Sequence, residues 1–152
     1  MYSIALGCDE AACALRDAIK DMLVEQGYEL EDFGTIENRP VLYPDIAVAV
    51  AQSIASGKHE RGLLFCGTGI GMALAANKVP GIRAAVCHDP FSAERSRKSN
   101  DAQIMCMGAR IIAPPLAKML VKLWLQCDFE GGGSTAKVAR IMEYERQFRK
   151  EI

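Results

Sequence analysis

A cysteine that runs directly into a glycine-rich turn is the part of this chain best suited to chemistry. After an apolar run at residues 63–65, the sequence continues Cys66-Gly67-Thr68-Gly69-Ile70-Gly71. The apolar run is typical of a buried strand and residues 69–78 have helical spacing, so Cys66 falls at the carboxyl end of a strand. Backbone N–H groups in such a turn can hold an anion, and their positive potential favours the thiolate of a nearby cysteine. The segment therefore predicts a site for proton transfer.

A purely structural role for the same residues stays open at this point. Cysteine is one of the most frequently buried residue types, and glycines often do no more than turn the chain. The three glycines match neither the dinucleotide-binding fingerprint nor the phosphate-binding loop. The spacing alone thus allows both a buried core thiol and a reactive one.

Composition narrows the class of protein. With 152 residues, 50% hydrophobic and 24% charged, the chain is expected to form one globular domain over residues 1–152. A formal net charge of −1 provides no basic surface for nucleic acid or an anionic membrane. The amino-terminal segment lacks the basic start of a signal peptide, so we expect neither export nor a membrane span.

The cysteines indicate a reducing compartment. Six of them are spread along the chain, mostly within apolar runs: Cys8, Cys13, Cys66, Cys87, Cys106 and Cys127. This distribution is typical of reduced core thiols rather than of a disulfide framework, and it favours the cytoplasm. With only two histidines and no Cys-x-x-Cys pair, we expect no metal site.

Predicted strands and helices alternate along the whole chain. Strands are predicted at residues 2–6, 28–33, 61–66, 83–87 and 103–107. Helices are predicted at residues 11–26, 44–56, 69–78, 90–99, 114–126 and about 134–150. Near-continuous apolar strands separated by helices indicate a five-stranded parallel sheet covered on both faces, a three-layer α/β/α doubly wound, Rossmann-like fold.

Polar residues collect where these strands end, and ligands bind at that end of such sheets. Four predicted strands are followed by polar side chains: Asp9 and Glu10, Cys66 and Thr68, His88 and Asp89, and Arg110. Each has an ordinary alternative explanation as a helix cap, a turn residue or a surface charge. Their shared position is what indicates a functional site.

Short motifs stand in one order along nearly the whole chain: Gly7-Cys8-Asp9, Tyr43-Pro44, Cys66 to Gly71, Ala75-Ala76-Asn77-Lys78, Pro80-Gly81-Ile82-Arg83-Ala84, Ser99-Asn100-Asp101, Met107-Gly108-Ala109-Arg110 and Leu116-Ala117-Lys118. In this order they resemble type B ribose-5-phosphate isomerases and the related galactose-6-phosphate isomerase subunits. The resemblance implies aldose–ketose isomerisation of a sugar phosphate with no metal or organic cofactor.

The resemblance also implies roles for single residues. The cysteine at the position of Cys66 takes a proton from the carbon next to the carbonyl, which gives an enediolate, and Thr68 helps to relay or orient that proton. Turn amides would stabilise the enediolate oxygen. The substrate-binding residues implied are Asp9, Glu10, Tyr43, Gly67, Gly69, Ile70, Gly71, Ser99, Asn100, Arg110 and Lys137. A homodimer or homotetramer is implied, with sites completed across the interface and the helix at about 134–150 packed on a partner.

Four positions depart from the family's pattern. Glu10 and Ser99 stand where the family has histidines, and the histidine at position 99 is the one assigned to opening the sugar ring. No arginine stands in residues 131–134, where the family has one for phosphate, and Lys137 replaces the next. A serine hydroxyl scarcely ionises near neutral pH. We therefore expect an open-chain substrate such as a tetrose 4-phosphate, the alternatives being an unphosphorylated sugar or sugar acid, or a non-catalytic subunit.

Overall fold

Five parallel strands form a single sheet in the computed structural model, which describes residues 1–150. The strands are β1 (Ser3–Cys8), β2 (Glu29–Asp32), β3 (Arg61–Cys66), β4 (Ala84–Val86) and β5 (Ile104–Gly108). The helices are α1 (Cys13–Glu25), α2 (Tyr43–Ala55), α3 (Ile70–Ala76), α4 (Pro90–Lys98), α5 (Pro114–Leu125) and α6 (Ser134–Arg149). The predicted three-layer α/β fold is confirmed.

The strand order changes direction between β1 and β3. The order across the sheet is β2-β1-β3-β5-β4, so the chain leaves β1 toward one side of the sheet and leaves β3 toward the other. In doubly wound sheets the ligand crevice opens at this reversal, outside the carboxyl ends of the strands. Asp9 follows β1 and Cys66 ends β3, so both lie at this point.

Two apolar cores cover the two faces of the sheet. Successive side chains of a strand point to opposite faces, so Phe65 joins the core under α1 and α5, whereas Leu64 and Cys66 join the core under α2 and α3. Trp124 is the largest fully buried side chain of the first core. The thiol of Cys66 is thereby directed to the side of the sheet on which α2 and α3 begin.

The predicted bounds are wrong by a few residues at several ends. β1 continues through Gly7 and Cys8 because both pair with β3, opposite Leu64 and Phe65. Likewise, β5 extends one residue past its predicted end because Gly108 pairs with Cys66 of β3. All six helices end one or two residues before the predicted limit, whereas β3 agrees with its prediction at both ends.

The side chain of Asn77 closes the outer side of β4, the last strand of the sheet. Its Nδ2 donates to the carbonyl of Ala84 at 2.9 Å, and its Oδ1 accepts the N–H of Ala84 at 2.7 Å. These are the two backbone groups that Ala84 would offer to a further strand. A single side-chain amide therefore takes the place of a neighbouring backbone.

Helix α6 extends the chain beyond the sheet. Glu145 accepts the N–H of Gly81 at 3.0 Å, and Arg83 contacts the sulfur of Met142, so α6 is held against the segment before β4. The face of α6 that carries Ile141, Tyr144 and Phe148 is exposed. The predicted helix is thus confirmed, while residues 151 and 152 of the predicted domain lie outside the described residues. No helix between residues 1 and 150 is long and apolar enough to cross a membrane.

Candidate active site

The backbone of the glycine-rich turn, residues 67–71, holds the thiol of Cys66. This cysteine is 6% exposed, and the N–H of Gly69 donates to its Sγ at 3.1 Å. Gly69 has a φ of 80°, in the left-handed region that favours glycine, and this conformation lets the chain double back over the sulfur. The turn therefore aims a backbone donor at the atom that would carry the negative charge of a thiolate.

Thr68 is pressed against the end of β5. A Cβ atom at Gly108 would lie 2.5 Å from the Cα of Thr68, so only glycine fits there. The N–H groups of Ala109 and Arg110 donate to the carbonyls of Cys66 and Gly67 at 2.8 and 3.0 Å. The turn is thus fastened to β5 by hydrogen bonds and by close packing.

Arg110 brings a positive charge to the turn. A Cβ atom at Gly67 would lie 3.6 Å from Cδ, Nε and Cζ of the Arg110 side chain, so that side chain passes over the turn. Burial raises the pKa of Asp9, and the neighbouring Glu10 adds to this shift. The hydrogen bond that Asp9 accepts from the N–H of Ala11, at 3.0 Å, and the charge of Arg110 oppose it. Asp9 and Arg110 therefore act on one another beside Cys66.

The ring of Tyr43 forms another wall of the candidate site. A Cβ atom at Gly71 would lie 2.4 Å from Cε1 and Cζ of Tyr43, so the ring rests on the first turn of α3. The ring is 38% exposed and partly open to solvent. Tyr43 and Gly71 thus bring the starts of α2 and α3 together at the carboxyl end of the sheet, where Ile70 is also exposed.

Glu10 is directed to a loop. Its Oε2 accepts the N–H of Val41 at 3.2 Å, which holds the segment leading to Tyr43. The predicted residues that the structure brings together at the carboxyl end of the sheet are Asp9, Glu10, Tyr43, Cys66, Gly67, Thr68, Gly69, Ile70, Gly71 and Arg110.

Three predicted residues lie elsewhere in the single chain. Ser99 and Asn100 come after α4 and before β5, at the amino end of the sheet, and the hydroxyl of Ser99 accepts a hydrogen bond from Arg95 at 3.2 Å. Lys137 is exposed on α6, beside Arg140 and Tyr144. These residues are therefore not gathered with the Cys66 thiol within one chain.

The sequence did not predict the contact that His88 makes. Its Nε2 accepts the N–H of Gly108, the residue that packs against Thr68, at 2.8 Å. Burial lowers the pKa of His88, and the charge of Asp89 opposes this shift. Asp89 has a structural role as a helix cap rather than as the turn residue that the sequence suggested, because its carboxylate accepts the N–H of Ser92 at 2.8 Å and caps α4. The one feature of the sequence that indicated a role for His88 was its position directly after a predicted strand.

The site's donors are amide, guanidinium and hydroxyl groups around one thiol, which suits the stabilisation of an enediolate. Within residues 1–150, no three His, Cys, Asp or Glu side chains are arranged to hold a metal ion.

Comparison with known proteins establishes the family. A family model described as Ribose/Galactose Isomerase matches residues 4–141. The chain belongs to this family. Among its Ribose/Galactose Isomerase relatives, the D-erythrulose-4-phosphate isomerase of Pectobacterium atrosepticum is 53% identical over 150 residues, covering 97% of each chain. The ribose-5-P isomerase B of Listeria innocua is 52% identical over 146 residues, covering 96% of this chain and 99% of the relative.

Solved structures of the Ribose/Galactose Isomerase family agree with the fold. The ribose-5-phosphate isomerase B of Clostridium thermocellum superposes with a TM-score of 0.94 at 44% identity, covering 96% of this chain and 99% of that one. Membership of the family makes the protein an aldose–ketose isomerase of sugar phosphates.

Proposed function

We propose that this protein interconverts erythrulose 4-phosphate and erythrose 4-phosphate in preference to isomerising ribose 5-phosphate. The observation that carries the proposal is Ser99, whose hydroxyl stands where the family has a ring-opening histidine and is held by Arg95. A pentose 5-phosphate closes into a furanose and needs an acid and a base to open it. In a tetrose 4-phosphate the phosphate occupies the oxygen that would close that ring, so no ring-opening group is required.

Two relatives support a tetrose substrate by their names. One is the Pectobacterium atrosepticum protein above. The other is D-erythrulose-4-phosphate isomerase 2 of Mycolicibacterium smegmatis, 44% identical over 147 residues and covering 93% of this chain and 96% of the relative.

Cys66 serves as the base in the proposed mechanism. Its thiolate removes the proton from the hydroxyl-bearing carbon next to the carbonyl, and the electron pair of that C–H bond forms the enediolate. Turn amides of residues 67–71 stabilise the enediolate oxygen, while Thr68 and Asp9 orient the substrate hydroxyls. The thiol then returns the proton to the neighbouring carbon, while the hydroxyl proton passes from the oxygen that becomes the new carbonyl to the former carbonyl oxygen. Cys66 is regenerated as the thiolate, and the carbonyl has moved by one carbon.

A second copy of the chain completes the site in this proposal. Asn100, Ser99 and Lys137 lie away from Cys66 in the single chain, and apolar side chains are exposed both beside the turn and on α6. These exposed side chains are Leu42, Ile70, Leu74, Ile141, Tyr144 and Phe148. Pairing of two copies buries such surfaces and places the residues of one chain over the turn of the other. Residues 1–152 then act as one isomerase domain whose α6 packs on the partner.

In this proposal the reaction takes place in the cytoplasm. All six cysteines are free thiols, as expected for a protein of a reducing compartment.

A substrate panel tests the preferred sugar. The purified protein is assayed with erythrulose 4-phosphate, ribose 5-phosphate and unphosphorylated erythrulose, and kcat/KM is compared. We expect the tetrose phosphate to be the best of the three, with Ser99→Ala close to wild type on it. A wide preference for ribose 5-phosphate, with Ser99→Ala harmless, would overturn the proposal because ring opening would then not depend on position 99.

Mixed dimers test the shared site. Cys66→Ala and Lys137→Ala chains are co-purified through different affinity tags, so that each dimer holds one of each. If Lys137 acts in the partner's site, one of the two sites in the mixed dimer is intact and activity exceeds that of either parent. If both residues act within one chain, every site carries a lesion and no activity returns.

A further inference from the structure

His88 is connected to the glycine-rich turn through the end of β5. Its Nε2 lies 2.8 Å from the N–H of Gly108 and accepts that hydrogen bond. An imidazole that accepts at Nε2 is neutral and carries its proton on Nδ1. The contact therefore exists in one protonation state of the ring.

Gly108 couples this hydrogen bond to the glycine-rich turn through close packing. The residue packs so closely on Thr68 that a Cβ atom at position 108 would lie 2.5 Å from the Cα of Thr68 and 2.7 Å from the carbonyl oxygen of Gly67. A Cβ atom at Gly69 would likewise lie 3.0 Å from the backbone of Met107. A shift at the end of β5 is consequently a shift of the turn around the Cys66 thiol.

We propose that His88 is a positioning residue of the isomerase site. Its neutral imidazole fixes Gly108, and through Gly108 it holds Thr68 and the donor to Cys66 Sγ in their working positions. This inference rests on the roles proposed above for Cys66 and Thr68. When the ring takes up a proton, Nε2 becomes a donor, the N–H of Gly108 loses its acceptor, and the turn loosens.

The charges around His88 set the direction of the pH dependence. Burial lowers the pKa of His88 from its ordinary value of 6.5, and Asp89 opposes this shift. Hydrogen bonds from Ser92 lower the pKa of Asp89, so Asp89 stays ionised near neutral pH. Burial raises the pKa of the neighbouring Cys87, which therefore keeps its proton near neutral pH.

The direction of the pH dependence follows from the lowered pKa of His88. Because the pKa is lower in the folded chain than in the unfolded one, the contribution of His88 to stability is complete above about 6.5 and is lost as pH falls through the pKa of the folded state. The hydrogen bond to Gly108 is lost over the same range, so the proposed effect is an acid limb in kcat.

Two substitutions at position 88 separate positioning from mere packing. The side-chain oxygen of His88→Gln can accept the N–H of Gly108 and does not titrate, whereas His88→Ala removes the acceptor. At neutral pH we expect His88→Gln to stay within about twofold of wild type, and His88→Ala to lose about tenfold to a hundredfold in kcat with little change in KM. As pH falls, the part of the acid limb due to His88 should disappear in His88→Gln. His59→Gln, which replaces the other histidine, should retain it.

A spectroscopic measurement keeps the test independent of substrate. The backbone amide resonance of Gly108 should titrate below about 6.5 in wild type and stay fixed in His88→Gln. Unchanged kcat in His88→Ala, or an unchanged acid limb in His88→Gln, would overturn the inference. If the wild type isomerised none of the sugar phosphates offered, the proposed function would fail instead, while the Gly108 titration would still decide whether His88 makes this contact.

Discussion

The ring of Tyr43 occupies the space that a side chain at Gly71 would need. A Cβ atom at position 71 would lie 2.4 Å from the ring and 2.6 Å from the hydroxyl oxygen. The starts of α2 and α3 therefore approach as closely as they do because residue 71 has no side chain. The wall of the site and the helix that follows the turn depend on the same contact.

Gly71→Ala should lower kcat/KM by about tenfold to a hundredfold, because the added methyl group pushes the Tyr43 ring out of the wall or shifts the turn. Steady-state kinetics on the preferred sugar phosphate measure the loss. In a Tyr43→Ala background the ring is gone, so the same substitution should cost much less. Equal losses in both backgrounds would show that the contact does not matter.

Cys66→Ala should abolish exchange of the substrate's carbon-bound hydrogen with solvent while leaving the fold intact. A positioned base contributes on the order of a hundredfold to ten-thousandfold to a rate, so the loss should be clear. Exchange is followed by NMR in deuterated water, and circular dichroism checks the fold. Substantial exchange remaining in Cys66→Ala would remove the cysteine from the mechanism.

The matched controls are Cys87→Ala and Cys127→Ala. Both cysteines are buried, at 2% and 4% exposure, and neither lies on the glycine-rich turn. Turnover should persist in both variants, so a loss in Cys66→Ala alone cannot be attributed to removing a buried thiol.

Ser99→His should raise kcat/KM for ribose 5-phosphate at least about tenfold, because it restores an acid–base group that can open the sugar ring. The rate on erythrulose 4-phosphate should change little, since that substrate has no furanose ring to open. Ser99→Asn supplies a polar side chain that does not titrate and should give no gain. A similar gain in Ser99→Asn would assign the effect to hydrogen bonding rather than to proton transfer.

Asp9→Asn should stabilise the fold at neutral pH while it lowers activity. Burial raises the pKa of Asp9, so its charged form is disfavoured in the folded chain, and this contribution to stability is lost as pH rises from about 3.8 through the folded pKa. Asparagine is neutral throughout and can still accept the N–H of Ala11. Thermal unfolding should show a Tm gain at neutral pH that shrinks as pH falls. A gain independent of pH would contradict this cause.

Sequence reasoning found the fold because four of the five strands are mostly apolar, β2 being the exception, and because several helices begin at a proline or are followed by a glycine. β3 agrees with its prediction, since the charged Arg61 opens the strand and Gly67 closes it. The end of β1 was missed because Gly7 has the composition of a turn, and only its pairing with Leu64 shows it to be part of the strand. Local composition thus gives the kind of element, and tertiary pairing gives its limits.

The contacts of the candidate site likewise fall into those that the sequence predicts and those that it does not. Cys66 and Asp9 could be placed together in advance, because the ends of parallel strands share one end of a sheet. The bond from Gly108 to His88 could not, since it requires β4 and β5 to be neighbours and spacing along the chain does not give strand order. Lys137 lies on α6, away from Cys66 within one chain, and in our proposal it acts in the site of a second copy. The sequence of one chain does not give distances to another.

The amide of Asn77 has a consequence for solubility at high concentration. An outer strand with unpaired backbone groups is a template on which another chain can grow into a β-aggregate. Because Asn77 already occupies both groups of Ala84, an incoming strand finds its first pairing position taken. The contact that completes the sheet therefore also protects the protein from fibre growth at β4, with one side chain in place of a covering helix.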